Sequence, residues 1–127
     1  MNKATVCIGS NYPEGFAKVE AALKWLKSEL QSCISYGPYP TVPYGEGASD
    51  APYFNAVATG FTCFTARQLT LAFKRYETAN GRVHGSSFPA GIAIDIDLVV
   101  WNDTVLRPAD YSAPYFTEGM RHLPDLQ

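Results

Sequence analysis

The sequence predicts an α+β domain in which an antiparallel sheet packs against two helices. Short apolar runs that end at Gly, Asn or Pro indicate strands, and two longer segments repeat their apolar residues at helical spacing. These segments follow one another as strand, helix, strand, strand, helix, strand. With 127 residues and 46% hydrophobic content, the chain (1–127) is expected to be a single globular domain with a substantial core.

The first half of the chain is expected to supply a strand, a helix and a second strand. Residues 4–8 are apolar and stop at Gly9, which is typical of a strand that enters a turn. Pro13 and Glu14 suit the opening turn of the helix. Its predicted buried stripe is Phe16, Val19, Leu23, Leu26 and Leu30. A second strand is predicted over Cys33–Tyr36.

The second half repeats the pattern in the order strand, helix, strand. A strand is predicted over Tyr53–Phe61, and Thr65 with Gln68 forms a capping-box pattern at the start of the second helix. The predicted stripe of this helix is Leu69, Ala72, Phe73 and Tyr76, and Asn80-Gly81 is a good stop signal. Ile92–Trp101 reads as the last strand. The whole order is that of a ferredoxin-like βαββαβ sandwich.

Two connections are long for a compact domain, namely Gly37 to Pro52 and Gly81 to Gly91. Long irregular segments are commonly mobile lids or binding loops, and the alternative is a plain surface excursion. Because the second loop leads directly into the last strand, we favour a functional role for it.

Two carboxylates, Asp95 and Asp97, lie in the middle of the apolar last strand. Residues two apart on a strand point to the same face, with Cα atoms roughly 7 Å apart. Two neighbouring acids repel each other and lose hydration, and a cation relieves both costs. Hard oxygen ligands favour magnesium over zinc. The alternative, which the residues leave open, is a strand with one solvated face.

Other residues could bind a phosphate or a planar ligand. Arg82 follows the second helix and could reach a phosphate held over the two acids, with Arg121 and His122 as further candidates. Lys74 and Arg75 are expected on the solvated face of the second helix. The acid Glu77 could be a cap, a surface acid or a ligand acceptor, and the loop histidine His84 alone is a weak signal.

Tyr53 and Asn55 share one face of the third strand. A heterocycle could stack on the ring while the carboxamide pairs with its edge. The alternative is an aromatic at the rim of the core beside a loop-capping amide.

Together these segments resemble the hydroxymethyl-dihydropterin pyrophosphokinase family of folate synthesis over nearly the whole chain. The matching motifs are Ile8-Gly9-Ser10-Asn11, Tyr53-Phe54-Asn55-Ala56, Glu77, Gly81-Arg82-Val83, Asp95-Ile96-Asp97-Leu98, Arg107-Pro108, Pro114-Tyr115 and Arg121. The combination is specific, whereas each motif alone is weak.

The resemblance implies an enzyme that transfers the terminal diphosphate of ATP to a hydroxymethyl-dihydropterin with two Mg²⁺ ions and releases AMP. Asp95 and Asp97 would hold the metals, and Arg82 would act in catalysis. The residues implied for the pterin are Pro43, Tyr44, Tyr53, Asn55 and Leu123. Those implied for the nucleotide are Glu77, Arg82, His84, Tyr115 and Arg121. The two long loops would close over both substrates.

The chain departs from the family pattern in its basic residues. His84, Pro89 and Ile92 stand where the family offers arginines and a tryptophan, and Asp110 stands where a basic residue is expected. Leu123 replaces a phenylalanine that stacks on the pterin. A catalytically degenerate relative that binds pterin or nucleotide is therefore the alternative function.

Composition bears on partners and location. A net charge of −2 argues against an RNA-binding sheet and against broad nucleic-acid binding. Three widely spaced cysteines in apolar segments fit reduced, buried thiols in a cytoplasmic protein, and no signal or membrane segment is evident. We expect small-molecule partners, no membrane association, and a monomer or weak homodimer.

Overall fold

The structure is a computed structural model that describes residues 1–41, 53–81 and 93–124. The elements in these residues are β1 (Asn2–Ser10), α1 (Gly15–Glu29), β2 (Gln31–Thr41), β3 (Tyr53–Thr62), α2 (Ala66–Ala79), β4 (Asp95–Trp101), β5 (Thr104–Val105), α3 (Pro108–Ser112) and α4 (Pro114–Met120). The strands form one antiparallel sheet in the order β2-β3-β1-β4-β5. The predicted ferredoxin-like α+β fold is confirmed.

The sheet has two differently covered faces, because side chains alternate along each strand. On one face α1 and α2 pack over the larger core, which contains Ala4, Val6, Ile8, Ala56, Ala58, Ile96, Leu98, Leu26, Leu69 and Phe73. On the opposite face a smaller cluster consists of Cys7, Val57, Val99 and Phe116, with Tyr36, Tyr115, Met120 and Leu123 packed against it. The two helices therefore leave the second face to polar residues and to α4.

The start and end of α2 agree with the sequence prediction. Thr65 accepts a hydrogen bond from the Gln68 backbone N–H at 3.1 Å, and the Gln68 side chain accepts one from the Thr65 N–H at 2.8 Å. The predicted buried stripe holds for Leu69 and Phe73, but Ala72 and Tyr76 are only partly buried. Tyr76 stacks on Trp25, and Glu77 beside it is fully buried instead.

The predicted stripe of α1 is wrong at Phe16. Val19, Leu23, Leu26 and Leu30 are buried, but Phe16 is 47% exposed and only meets the ring of Phe54 edge-on. The first turn buries Gly15 instead, where an added Cβ would lie 3.2 Å from both the Ser10 carbonyl oxygen and the Phe54 ring. Close approach to the sheet end thus requires a small residue there.

The second strand is longer than Cys33–Tyr36, because β2 continues to Thr41. Residues 37–41, which the sequence predicted as loop, therefore belong to this strand. From the sequence, Gly37 and the prolines after it predict the end of a strand. However, β2 is an edge strand of the sheet, where a proline without a backbone N–H is tolerated. A register shift between Tyr36 and Tyr39 accommodates the interruption.

Two further expectations concern burial and membranes. All three cysteines are free. Cys7 is buried as expected, but Cys33 is only partly buried and Cys63 is exposed, so the expectation of buried thiols was wrong for these two. Within the described part of the chain, no helix combines the length and apolar character needed to span a bilayer.

Candidate active site

Asp95 and Asp97 lie on the face of β4 that α1 and α2 leave uncovered. The intervening Ile96 points into the larger core and is buried, which fixes the two carboxylates on the other side. In the sheet, Asp95 pairs with Gly9 and Asp97 pairs with Cys7 on the central strand β1. The predicted same-face arrangement of the two acids is therefore present.

The environment of Asp97 disfavours its negative charge. Its side chain is only 15% exposed. Burial, together with repulsion from Asp95, raises the pKa of Asp97 to about 7, and the nearby Arg107 guanidinium only partly opposes this. A divalent cation between the carboxylates would offset both the lost hydration and the repulsion.

The donor atoms fit Mg²⁺, which prefers carboxylate oxygens and keeps several water or phosphate ligands. Across residues 1–41, 53–81 and 93–124, His, Cys, Asp and Glu side chains form no group of three or more arranged to hold a metal. A pair of carboxylates without a closed cage suits a metal that shares its coordination sphere with a phosphate.

Glu77 fixes the strand that carries the two acids. It is fully buried, and its Oε2 accepts a hydrogen bond from the Ile96 backbone N–H at 2.7 Å. On the side of β4 away from β1, β5 pairs only with Val100 and Trp101. The Glu77 carboxylate therefore provides the acceptor that a neighbouring strand would otherwise supply. Glu77 is not the surface acid that the sequence left open.

Asn55 lies on the same face, two strands away from Asp95. Gly9 on β1 pairs with Asn55 on one side and Asp95 on the other. An added Cβ at Gly9 would lie 2.8 Å from Asn55 Nδ2, so this position must be glycine for the carboxamide to keep its place. The row Asn55, Gly9, Asp95 thus joins the two polar groups that the sequence identified separately.

Hydrogen bonds set the orientation of the Asn55 carboxamide. Its Nδ2 donates to the Ile8 carbonyl oxygen at 3.2 Å, and its Oδ1 accepts from Thr41 Oγ1 at 2.6 Å. The Asn55 side chain also interacts with the Cys7 thiol. Because Oδ1 has two lone pairs, the group keeps acceptor capacity for a ligand edge. The sequence missed Thr41, because the prediction ended β2 before it.

Tyr53 lies close enough to Asp95 for the charge of that carboxylate to act on its phenol. Its side chain is partly buried, and burial together with the negative charge of Asp95 raises the pKa of the Tyr53 phenol. The ring therefore stays neutral at ordinary pH and remains available for stacking.

Cys7 lies on β1, between β3 and β4. Burial and the charge of Asp97 raise the pKa of its thiol, which keeps this central residue neutral.

Three polar residues after β5 form a network beside Asp97. Arg107 Nη1 lies 3.8 Å from Asp97 Oδ1, and Arg107 Nε donates to Asp110 Oδ2. The other oxygen of Asp110 accepts a hydrogen bond from the Tyr115 hydroxyl. Tyr115 is thus linked to the surroundings of Asp97 through Asp110. From the sequence, Asp110 was noted only as an acid where the family pattern has a basic residue.

The C-terminal segment covers the same face through α4. The Tyr39 hydroxyl donates to the Tyr115 carbonyl oxygen at 2.7 Å, and an added Cβ at Gly119 would lie 2.8 Å from Val57 Cγ2. Leu123 is partly buried against the smaller cluster.

The two other predicted residues near the C-terminus make contacts within this segment and with β2. Arg121 is 66% exposed and forms an ion pair with Glu118 at 2.7 Å. His122 stacks on Tyr36 with ring centroids 4.0 Å apart.

The remaining predicted residues either lie outside the described part of the chain or belong to the outer face of α2. Pro43, Tyr44, Arg82, His84, Pro89 and Ile92 lie outside the described residues. Lys74 is 45% exposed and lies 3.4 Å from Glu77, and Arg75 is exposed, as expected for the outer face of α2.

Fold and sheet face together define a ferredoxin-like α+β protein that carries a carboxylate pair and an oriented carboxamide on one surface. The family model for 7,8-dihydro-6-hydroxymethylpterin-pyrophosphokinase (HPPK) matches residues 5–125, and the chain belongs to this family. The family implies pyrophosphokinase activity in folate biosynthesis on small-molecule substrates, with ATP as co-substrate and generally Mg²⁺. A comparison with curated proteins finds no match.

Proposed function

We propose that this chain transfers the terminal diphosphate of ATP to 6-hydroxymethyl-7,8-dihydropterin. The hydroxymethyl oxygen forms a bond to the β-phosphorus, the bond from that phosphorus to the α,β-bridging oxygen breaks, and AMP leaves while the hydroxyl proton is released. The observation that carries the proposal is the in-register row Asn55, Gly9, Asp95. It sets a carboxamide and a carboxylate on one face, two strand spacings or about 10 Å apart.

In this proposal Asp95 and Asp97 hold two Mg²⁺ ions, and Arg82 assists catalysis. When bound, the ions neutralise the transferring phosphates and help to orient them. The raised pKa of Asp97 supports this assignment, since it reflects burial of the carboxylate beside a second acid, which the Arg107 guanidinium only partly offsets. The role of Arg82 rests on its place in the family motif.

The pterin would bind at the other end of the row. Asn55 would pair with the edge of the heterocycle and Tyr53 would stack on one side, with Leu123 on the other side. The fixed Asn55 carboxamide supports this assignment, because a preset orientation lowers the entropy cost of pairing. Pro43 and Tyr44 complete the proposed site from their place in the family motif. Since Leu123 is not aromatic, stacking on its side would be weaker than in relatives with phenylalanine.

The nucleotide would bind beyond the acids. The residues proposed to contact ATP are Glu77, Arg82, His84, Tyr115 and Arg121. Tyr115 is supported by its link through Asp110 to the surroundings of Asp97. Glu77 supports the site chiefly by holding β4 in place, and a direct nucleotide contact from it remains a prediction from the family motif.

The test is formation of AMP from ATP and 6-hydroxymethyl-7,8-dihydropterin in the presence of Mg²⁺. We expect Asp95→Ala and Asp97→Ala to reduce the rate by at least about 100-fold, because each removes a ligand that organises transition-state charge. Asp103→Ala is the matched control, since Asp103 is an exposed acid after β4. Equal AMP formation by wild type and the two site variants would exclude the proposed catalytic role.

A second function, binding of pterin or nucleotide without turnover, is favoured by the pairing of Arg121, a proposed ATP contact, with an acid. Arg121 Nη2 lies 2.7 Å from Glu118 Oε1. Calorimetric binding of pterin or a nucleotide analogue with no AMP formed would select this function. Rescue of AMP formation by Ile92→Arg would instead indicate a slow enzyme that lacks one phosphate-binding group.

A further inference from the structure

Arg107 has a position that the proposed function has not used. It follows β5, occupies the N-cap position of α3, and is outside the set of residues assigned to ATP above. Its side chain is 49% exposed, whereas Asp97 beneath it is 15% exposed. The guanidinium is therefore open to solvent while it lies beside a largely covered carboxylate.

The contacts of Arg107 leave part of its guanidinium suited to an anion. Nε donates to Asp110. The 3.8 Å between Nη1 and Asp97 Oδ1 is within ion-pair range but too long for a hydrogen bond. An arginine has five N–H donors in a planar fork, and such a fork can bind a phosphate oxygen with two of them.

Asp110 holds this guanidinium in place. One carboxylate oxygen accepts from Arg107 and the other from the Tyr115 hydroxyl. A carboxylate held at both oxygens restricts the rotation of the arginine side chain and directs its far end toward Asp97. Asp110 therefore acts through Arg107, as a positioning residue.

We infer that Arg107 binds a phosphate of the nucleotide's diphosphate tail, with Asp110 as the residue that orients it toward Asp97. The inference rests on the proposed function, because it needs a polyphosphate held at Asp95 and Asp97. A phosphate oxygen held beside Asp97 would lie close to Arg107 Nη1, which is 3.8 Å from Asp97 Oδ1, and a charge-assisted hydrogen bond there would be strong. The chain thus supplies one guanidinium from the segment after β5, next to the position where Asp110 replaces the expected basic residue.

The test measures binding of a non-hydrolysable ATP analogue (α,β-methylene-ATP) and of AMP by calorimetry in Mg²⁺. We expect Arg107→Ala to weaken analogue binding about 10- to 100-fold, the range for a lost charge-assisted hydrogen bond, and AMP binding by less than about twofold. Arg107→Lys should fall between, because it keeps the charge and loses the fork. Arg67→Ala, at an exposed arginine on α2, is the matched control.

A purely structural role of the Arg107 side chain, pairing with Asp110 at the start of α3, predicts different results. It predicts equal losses for the analogue, AMP and pterin, together with a lower melting temperature. Equal affinity of wild type and Arg107→Ala for the analogue, or equal losses for all ligands, overturns the inference.

The positioning role of Asp110 is tested by a double-mutant cycle. Asp110→Asn should weaken analogue binding in the wild-type background and have a clearly smaller effect once Arg107 is alanine, where only the contact of Asp110 with Tyr115 is lost. Additive effects contradict the positioning role. If wild type binds pterin and the analogue, these results concern Arg107 alone. If wild type binds neither, the proposed function fails and this inference fails with it.

Discussion

At the scale of single residues, the candidate site is built from groups whose charge or orientation is held by a named neighbour. Asp97 is kept from full ionisation by burial and by Asp95. Asn55 is oriented by Thr41 and Ile8. The residue types at positions 55, 95 and 97 could be interpreted from sequence, but the partner Thr41 could not, because it lies beyond a Gly-Pro step that suggested a loop.

The raised pKa of Asp97 predicts a pH-dependent stability in the absence of metal. Since the folded-state pKa lies above the ordinary value of about 4, the folded protein binds more protons than the unfolded chain between roughly pH 4 and 7. The contribution of Asp97 to the free energy of unfolding therefore falls as pH rises through this window. In EDTA at pH 8, Asp97→Asn should be more stable than wild type by about 2 kcal/mol.

Denaturant unfolding at pH 5 and pH 8 provides this measurement. The gain from Asp97→Asn should shrink at pH 5, and Asp103→Asn, at an exposed acid, should show no comparable gain. A destabilised Asp97→Asn at pH 8 would mean that its carboxylate is well compensated in the folded protein.

Thr41 predicts a selective effect on pterin binding. Thr41→Val keeps the branched shape and removes the hydroxyl that donates to Asn55 Oδ1, so the carboxamide loses one of the hydrogen bonds that orient it. We expect about 5- to 10-fold weaker pterin binding and unchanged binding of the ATP analogue, by calorimetry. Thr104→Val, on the exposed β5, is the control. Equal losses for both ligands would point to a general loss of structure.

At the scale of elements, the positions of the helices were predictable and their exact buried faces less so. The capping box at Thr65 and the stop at Asn80 set α2 correctly. However, a helical period does not distinguish a buried acid from a surface acid. Glu77 is buried where its carboxylate accepts the Ile96 N–H, which no described strand pairs. Such a need arises from strand order, which local sequence does not contain.

The role of Glu77 as an anchor for β4 predicts a large effect of its removal. Glu77→Ala leaves the buried Ile96 N–H without its acceptor and should lower the free energy of unfolding by about 2–4 kcal/mol. Glu77→Gln keeps an acceptor oxygen and should cost less. Amide hydrogen exchange by NMR should show faster exchange at Ile96 in Glu77→Ala.

Glu20→Ala, at an exposed acid on α1, serves as the control for this experiment. Unchanged protection of the Ile96 amide in Glu77→Ala would show that another group satisfies it, and the anchoring role would be wrong.

At the scale of the whole molecule, the sheet brings together two groups that are 40 residues apart in sequence. The βαββαβ order places β1 between β3 and β4, so Gly9 lies between Asn55 and Asp95 and leaves the space above it free of a side chain. The fold order could be predicted from apolar periodicity, and the presence of both groups from their residue types. Their common face and the Arg107–Asp110–Tyr115 network required the strand register and the course of the chain after β5.

The most direct measurement is a crystal structure with Mg²⁺, α,β-methylene-ATP and the hydroxymethyl-dihydropterin. The account predicts the pterin edge on Asn55, the phosphate tail joined by metal to Asp95 and Asp97, and the space between them lying over Gly9. Both ligands bound with those carboxylates bare of metal, or on opposite faces of the sheet, would contradict it.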